Sequence, residues 1–328
     1  MTTANVEGEQ LTSGARRSLA TIRSKPWIPV YLAIIVLFVA SRWIVGPVFT
    51  TVGNFWTIVT LASFVAVLGA GEGLVILVGG IDLSIPWVMT LAGVLTTAWS
   101  LGGNGSLITA LPAILLIGAA IGAINGLAVV YLGIAPVVVT IAMNVLIQGV
   151  VLIVTGGHTI GFAPPFLNTV AHGQVAGIPI LVLVLIGFAI LVGVLMSRTT
   201  FGRYAYAVGN SPVVARLSGV PVNATLIAVY AFSGLTASLA GILLTGYAGH
   251  SALGTGDAYL LPTIAAVVVG GASILGGRGH YIGTLGAAIF LSLLQTVILA
   301  LNLPDATRDV MFGGAILIAV LAVRERER

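Results

Sequence analysis

Apolar runs of roughly 20 residues follow one another along this sequence, and a run of that length can cross a bilayer as a helix. Because only 7% of the residues are charged and the mean hydropathy is +1.15, a soluble fold could not cover its surface with polar groups. Lipid offers the backbone no hydrogen bonds, and the sequence lacks the short segments of alternating polarity that a barrel requires. The sequence therefore predicts an all-α integral membrane protein.

The hydropathy pattern divides the chain into about ten transmembrane helices within a single polytopic domain at residues 28–323. Residues 1–27 form a polar, basic tail before this domain, and residues 324–328 form a short tail after it. The first apolar run is too long for the core of a signal peptide, so the amino-terminal tail is expected to be retained. The predicted spans cover 28–46, 55–77, 85–101, 107–131, 133–155, 178–197, 223–247, 259–277, 281–302 and 308–323.

The basic residues indicate how the spans are oriented, because cytoplasmic loops carry an excess of Lys and Arg. With the amino terminus in the cytoplasm, only Arg42 and Arg308 fall outside. Both termini are therefore predicted to be cytoplasmic, and the segments 156–179 and 248–260 are predicted to lie on the far side. The basic residues on the cytoplasmic side would be Arg16, Arg17, Arg23, Lys25, Arg198, Arg203, Arg216, Arg278, Arg324, Arg326 and Arg328.

A pI near 9.7 could suggest a nucleic-acid partner, but the basic residues are scattered at the membrane edges and do not form one patch. Membrane lipid is the expected partner, and no nucleic acid is expected. The absence of cysteine excludes disulfides and thiolate metal sites and fits either compartment.

One polar stretch stands out, "FGRYAYAVGNSPVVARLSGVPV" at 201–222. Ser211 is a typical N-cap, Pro212 suits a first helical turn, and Gly219 and Pro221 are typical of a helix end. A helix over 212–218 would be about 10 Å long, too short to span a bilayer. It is predicted to lie on the cytoplasmic side, either as an interfacial linker or as the place where a soluble partner pushes on the membrane domain.

This stretch, starting from "TTFGR", resembles the central cytoplasmic loop of ABC-type sugar permeases, the membrane subunits of ribose, xylose, galactofuranose and related importers. Three more stretches resemble the same family in the same order, so the resemblance covers nearly the whole chain after the tail. They are "LVILVGGIDLSIPWVMTLAGV" (74–94), "GLTASLAGILLTGYAG" (234–249) and "TIAAVVVGGASILGGRGHYIGTLGAAI" (263–289).

The resemblance implies a pore-forming subunit of the bacterial inner membrane that moves a monosaccharide inward while a separate ATP-binding subunit hydrolyses ATP. It also implies a periplasmic or extracellular sugar-binding protein and a second permease copy, either identical or similar. In this family the short helix of the coupling loop, here 198–222, inserts into a groove on the ATPase. The matching residues in this chain are Gly202, Arg203, Gly209, Asn210, Ala215, Arg216, Leu217, Ser218 and Gly219.

The chain itself carries no P-loop, since its only lysine, Lys25, lies in the tail, and this agrees with a separate ATPase. No cofactor of its own and no catalytic residue are predicted, because no cluster of nucleophile, base and orienting group occurs. The four histidines match no metal motif and are expected to be solvated loop residues. They are His158, His172, His250 and His280.

Two departures from the family pattern bear on function. Ser211, Pro212 and Val213 stand where the family often has acidic residues, which concerns the contact with the ATPase. Pro86 and Trp87 stand where the family often has a Gly-Ser pair, which concerns the choice of substrate.

Polar residues inside predicted spans are candidates for the substrate path or a gate, because ionisable groups in lipid are costly. For Asp82 we favour a structural role, with its carboxylate capping free N–H groups at the helix start "LSIP"; the rival is contact with a sugar hydroxyl or gating. Glu72 could be buried against a polar group or be functional. The candidates are Glu72, Asp82, Ser84, Asn125, Asn144 and Gln148.

Other functions stay open at this stage. An amino-acid ABC permease would share the architecture and differ in its lining, and a proton-coupled transporter would use Glu72 and Asp82 as proton carriers.

A faint internal similarity pairs 78–93 with 269–287 and is compatible with a repeat of either orientation.

Overall fold

The computed structural model describes residues 27–159 and 161–326, and the predicted tail at 1–27 lies outside these residues except for Trp27. The described part contains thirteen α-helices, one short 3₁₀ helix at Pro47–Thr50 and a small hairpin of strands β1 (Gln174–Val175) and β2 (Ile178–Pro179). The helices are α1 (Ile28–Ile44), α2 (Val52–Leu77), α3 (Ile85–Ser100), α4 (Leu107–Tyr131), α5 (Pro136–Thr155), α6 (Pro165–His172), α7 (Ile180–Arg198), α8 (Thr200–Asn210), α9 (Pro212–Leu217), α10 (Val222–Ala248), α11 (Asp257–Val269), α12 (Tyr281–Ala300) and α13 (Asp305–Arg326).

Six of these helices, α2, α4, α5, α7, α10 and α12, are at least 18 residues long and apolar enough to cross a membrane. Three more apolar helices, α1, α3 and α11, have 10–17 residues. The predicted class, an all-α integral membrane protein with several spans, is confirmed by these helices.

Helix α10 packs against α4 through glycine residues, which is how helices approach closely in lipid, where apolar burial gives no driving force. Gly118, Gly122 and Gly126 recur every fourth residue along one side of α4. A Cβ at Gly122 would collide with the carbonyl oxygen of Tyr230, and a Cβ at Gly126 would lie 2.7 Å from the Cα of Ile227. The two backbones therefore touch directly along this line.

Two of the helices are short because the chain turns back into the protein before each of them begins. After α2, the segment 78–84 returns along the helix it has just left, since the backbone N–H of Asp82 donates to the carboxylate of Glu72. After α10, the segment 249–256 follows α3, with Ser251 bonded to Thr97. The predicted outer loop at 248–260 is therefore partly a re-entrant segment, which hydropathy cannot distinguish from a loop.

The predicted span at 259–277 is wrong in its second half, because α11 ends at Val269. Gly271 has a φ of +96°, a conformation that favours glycine. The N–H of Ala272 donates to the carbonyl of Val267 at 3.2 Å, which closes the helix end. Residues 270–280 then form a loop.

The architecture contains an internal repeat of opposite direction. A long helix, a re-entrant segment and a short helix occur twice, as α2 to α3 and as α10 to α11, and α2 and α10 run antiparallel because Gly71 faces Ser233 while Leu77 and Tyr230 share one cluster. The faint sequence similarity does not follow this structural repeat. It pairs 78–93, which joins α2 to α3, with 269–287, which joins α11 to α12.

Candidate functional site

Helix α9 begins and ends where the sequence predicts. The Ser211 hydroxyl accepts a hydrogen bond from the N–H of Val214 at 3.3 Å, and Gly219 has a φ of +79°. The N–H of Val220 donates to the carbonyl of Ala215 at 3.0 Å, which closes the carboxyl end. The prediction of a short capped helix over 212–218 is confirmed, with the last helical residue at Leu217.

One side of α9 is buried and the other is an exposed apolar surface. Ala215 packs with Val208 and Val222 in one small cluster. Val213, Val214 and Leu217 are 70%, 61% and 84% exposed. We call these three residues the α9 surface; its composition suits a contact with a soluble protein, because exposed apolar groups gathered on one rigid helix mark interaction sites.

Helix α8, inside the predicted coupling loop, is the main element that the sequence interpretation missed. Its N-cap, Thr199, accepts a hydrogen bond from the N–H of Gly202 at 3.5 Å, and Gly202, Ala205 and Val208 form its buried face. These three residues follow one another at intervals of three, so helical periodicity could have revealed the helix.

The carboxyl-terminal end of α8 packs closely against the carboxyl-terminal end of α2. A Cβ at Gly209 would collide with the carbonyl oxygen of Leu77, and the same carbonyl accepts a hydrogen bond from the N–H of Gly277 at 2.8 Å. The Tyr206 hydroxyl donates to the carbonyl of Gly279 at 2.7 Å, and burial raises the pKa of this phenol, which keeps the donor protonated. Helix α8, the end of α2 and the loop 270–280 thus form one contiguous unit.

The predicted coupling residues include both buried and exposed positions. Gly202 and Ala215 are buried, and Gly209 lies against Leu77. Asn210 is exposed, and its amide donates to the carbonyl of Tyr206 at 2.8 Å. The remaining predicted residues, Arg203, Arg216, Leu217, Ser218 and Gly219, are exposed.

The second group of predicted residues forms a buried polar network around Asp82. One carboxylate oxygen of Asp82 accepts hydrogen bonds from the N–H of Ser84 at 3.0 Å and from its hydroxyl at 2.6 Å. The other accepts one from the hydroxyl of Ser233 at 2.7 Å. Glu72 accepts the N–H of Asp82 with both carboxylate oxygens, at 3.3 and 3.2 Å. The preferred interpretation of Asp82, a carboxylate that holds an N–H just before α3, agrees with this geometry.

Asn125 joins the network from α4, because its amide donates to the hydroxyl of Ser84 at 2.9 Å. Asn144 lies on α5 and accepts the backbone N–H of Trp87 at 3.3 Å, so it contacts the start of α3 outside the network. Gln148, one turn further along α5, is partly buried. The structure thus brings four of the six candidate residues together in one network, while Asn144 and Gln148 lie beside it.

Ser233 and Tyr230, both on α10, belong to this region and were missed from the sequence. The Tyr230 hydroxyl sits directly over Gly80, where any Cβ would collide with it. Within the described residues, the Tyr230 hydroxyl and the side-chain oxygen of Asn125 are buried without a hydrogen-bond partner. Glu72, Asp82 and Ser84 are at most 1% exposed. The polar network is therefore buried inside the protein, where it fixes the turn 78–84.

A cavity of about 210 Å³ lies between α3, α10 and the re-entrant segment 249–256. Its wall is mainly apolar, with a few hydroxyl groups, among them Thr90, Thr245, Ser251 and Thr255. A wall of this kind suits a small neutral solute better than an ion.

In the described part of the chain, no three His, Cys, Asp or Glu side chains come together as they would to hold a metal ion. All four histidines are exposed, as predicted, but His172 is the last residue of α6 and does not lie in a loop. Two of the four bond to the backbone. The His172 ring nitrogen bonds to the carbonyl of Tyr247 at 3.0 Å, and that of His250 to the carbonyl of Ala248 at 3.0 Å.

Comparison with known proteins gives consistent matches over most of the chain. A family described as branched-chain amino acid transport system / permease component matches residues 54–321. The ribose import permease protein of Escherichia coli (strain K12) is 32% identical over 310 residues, which is 93% of this chain and 96% of that protein. No solved structure matches.

Two further relatives carry other transport names. The D-allose transport system permease protein of Escherichia coli (strain K12) is 31% identical over 273 residues, 83% of each chain. An autoinducer 2 import system permease protein of Photorhabdus laumondii subsp. laumondii is 33% identical over 254 residues, 76% of each chain.

Proposed function

This chain belongs to the family described as branched-chain amino acid transport system / permease component, and on that premise we propose that it is the membrane-spanning subunit of an ATP-driven ABC importer that carries a monosaccharide into the cytoplasm. The observation that supports this most strongly is the α9 surface, an exposed apolar patch on a rigid helix that is joined through α8 to the end of α2.

A monosaccharide is favoured over an amino acid as the substrate. The ribose and allose permeases are similar over 93% and 83% of this chain. The cavity beside α3 has hydroxyl groups in an apolar wall, which suits a neutral polyol. An amino acid remains the second candidate, because the family's own description names branched-chain amino acids.

The proposed assembly has four further components. A separate ABC ATPase binds the α9 surface from the cytoplasm, and a substrate-binding protein delivers the sugar from the other side. A second permease copy, identical or similar, completes the pore, and lipid surrounds the apolar helices. The ATP is used by the ATPase, and this chain holds no cofactor of its own.

The proposed orientation follows the distribution of Lys and Arg, with both termini in the cytoplasm of a bacterial inner-membrane protein. We extend the six long helices to ten membrane-crossing segments by adding α1, α3, α11 and α13. In the described part of the sequence, α8 and α9 then lie on the cytoplasmic side with the loop 270–280.

The proposed coupling route starts at the α9 surface. Movement of α9 passes through the Ala215 cluster to α8, then through the contact of Gly209 with Leu77 to the end of α2. From there it reaches the turn 78–84, which Glu72 holds in place. A change of position of this turn moves the start of α3, which lies beside the cavity.

The proposal is tested by reconstitution of the chain in proteoliposomes with candidate ATPase and binding-protein partners, followed by uptake of labelled D-ribose, D-allose and branched-chain amino acids. Uptake of a sugar that requires ATP hydrolysis supports the proposal. Uptake of amino acids alone supports the second candidate, and uptake that proceeds without an ATPase and collapses with a protonophore supports a proton-coupled transporter.

A further inference from the structure

Asp257 is an exposed carboxylate deep within the membrane domain. It is the first residue of α11, and the backbone N–H of the preceding Gly256 donates to the hydroxyl of Thr90 on α3 at 3.2 Å. Ser251, at the other end of the re-entrant segment, bonds to Thr97. Thr97 and Thr90 are seven residues apart, so the segment descends along α3 by about 10 Å.

The length of α11 also places Asp257 at depth, now measured from the opposite end of the helix. Its 13 residues span about 20 Å and lead to the loop 270–280, which contacts the end of α2 at Leu77. The hydrocarbon core of a bilayer is about 30 Å thick, so Asp257 lies within it. Yet the Asp257 side chain is exposed on the surface of this chain.

An ionisable group at such a depth faces a bundle interior or a water-filled cavity, because exposure to lipid costs about 2.5–3.5 kcal/mol on insertion scales. The surface of this chain around Asp257 is therefore unsuited to lipid. A pathway shared with a second permease copy provides the water that this carboxylate requires.

The indole of Trp87 lies beside the Asp257 carboxylate, and its N–H can only donate. Trp87 itself is 4% exposed, and its backbone N–H is held by Asn144.

We propose that Asp257, where the amino-terminal ends of α3 and α11 meet, lies on the aqueous solute path and accepts hydrogen bonds from the hydroxyl groups of the solute. This inference rests on the proposed function for the identity of the solute. A carboxylate has about four acceptor positions, so the exposed side chain of Asp257 can accept more than one hydroxyl group. Short helices that meet at their ends near the membrane midplane are a recurring frame for transporter sites.

The position of Asp257 can be tested without any substrate, because the chain contains no cysteine and a single introduced thiol is unique. Ala258→Cys places a thiol beside Asp257 and leaves Asp257 itself intact. Ile190→Cys on α7 is the control, since Ile190 is 63% exposed on an apolar helix. A charged, membrane-impermeant methanethiosulfonate reagent is applied to intact cells and to inverted membrane vesicles. We expect Ala258→Cys to react at least about tenfold faster than the control from one side, because only a solvated thiol forms the thiolate. Equal, slow reaction from both sides overturns the inference.

Solute contact is tested in the complete transporter by ATP-driven uptake of D-ribose and D-allose. Asp257→Ala is expected to lower the ratio of rate to KM about 10- to 100-fold, the range for a lost hydrogen bond to a charged group, mainly through an increase in KM. The control, Asp309→Asn, changes an exposed carboxylate elsewhere and should match the wild type. If the wild type transports a sugar and Asp257→Ala transports it equally well, this inference fails alone. If the wild type transports no sugar, the proposed function fails, and thiol labelling decides the position of Asp257.

Discussion

Glu72 and Asp82 are linked by a hydrogen bond in which the backbone N–H of Asp82 donates to both carboxylate oxygens of Glu72, at 3.3 and 3.2 Å. The bond joins the last turns of α2 to the re-entrant turn that begins α3. Two costly buried carboxylates thereby have a structural purpose, since one holds the turn and the other, Asp82, organises Ser84 and Ser233 around it.

Removing the Asp82 carboxylate should destabilise the fold more than neutralising Glu72. Asp82→Ala leaves the Ser84 N–H and the hydroxyls of Ser84 and Ser233 without their acceptor, at a cost of about 1–3 kcal/mol for each buried group left unsatisfied. Glu72→Gln keeps a carbonyl oxygen for the N–H of Asp82, so its effect should be smaller. Thermal unfolding in detergent should give the order wild type, Glu72→Gln, Asp82→Ala from most to least stable. Equal unfolding temperatures for all three would contradict the network's structural role.

Placing charges on α9, at and beside the α9 surface, should separate coupling from folding. Arg216→Glu combined with Leu217→Asp places two negative charges on exposed positions, so membrane insertion should be normal while association with the ATPase and ATP-driven uptake are lost. Co-purification of the ATPase with the tagged chain measures the association. Unchanged co-purification would rule out the α9 surface as the docking site.

Gly209 offers a test of the coupling route beyond the docking surface. Gly209→Ala would drive a methyl group into the carbonyl of Leu77 and shift α8 away from the end of α2. We expect ATPase binding to persist while uptake falls several-fold. Gly193→Ala is the matched control, because nothing lies within 4 Å of a Cβ at Gly193, and it should transport like the wild type. Full uptake by Gly209→Ala would mean that force does not pass through this contact.

Tight packing of α4 on α10 predicts a further pair of outcomes. Gly122→Ala would force a methyl group into the backbone of Tyr230 and should destabilise the protein by about 1–3 kcal/mol, as overpacking does. Gly149→Ala on α5 meets open space and should leave the unfolding temperature unchanged. If both variants unfold together with the wild type, the two helices do not pack as described.

Local signals explain which features were predictable. Ser211, Pro212 and Gly219 lie within one short segment and act on their own neighbours, so the sequence predicts α9 almost to the residue. Apolar composition likewise predicts the membrane class, because length and hydropathy decide whether a helix can cross.

The remaining features depend on contacts that are distant in the sequence. Ser233 meets Asp82 across 151 positions, and nothing near either residue indicates the partner. The re-entrant segment before α11 was predicted as a loop, and α11 itself as a full span, because a helix that starts inside the protein has the same composition as one that crosses it.

The central claim is tested most directly by uptake of labelled D-ribose and D-allose into proteoliposomes that contain this chain, its ABC ATPase and its binding protein. The account predicts sugar accumulation that requires ATP hydrolysis and disappears when the ATPase is omitted or when α9 carries Arg216→Glu and Leu217→Asp. Sugar accumulation at the same rate without the ATPase, or no ATP-dependent accumulation of any sugar by the complete assembly, would contradict it.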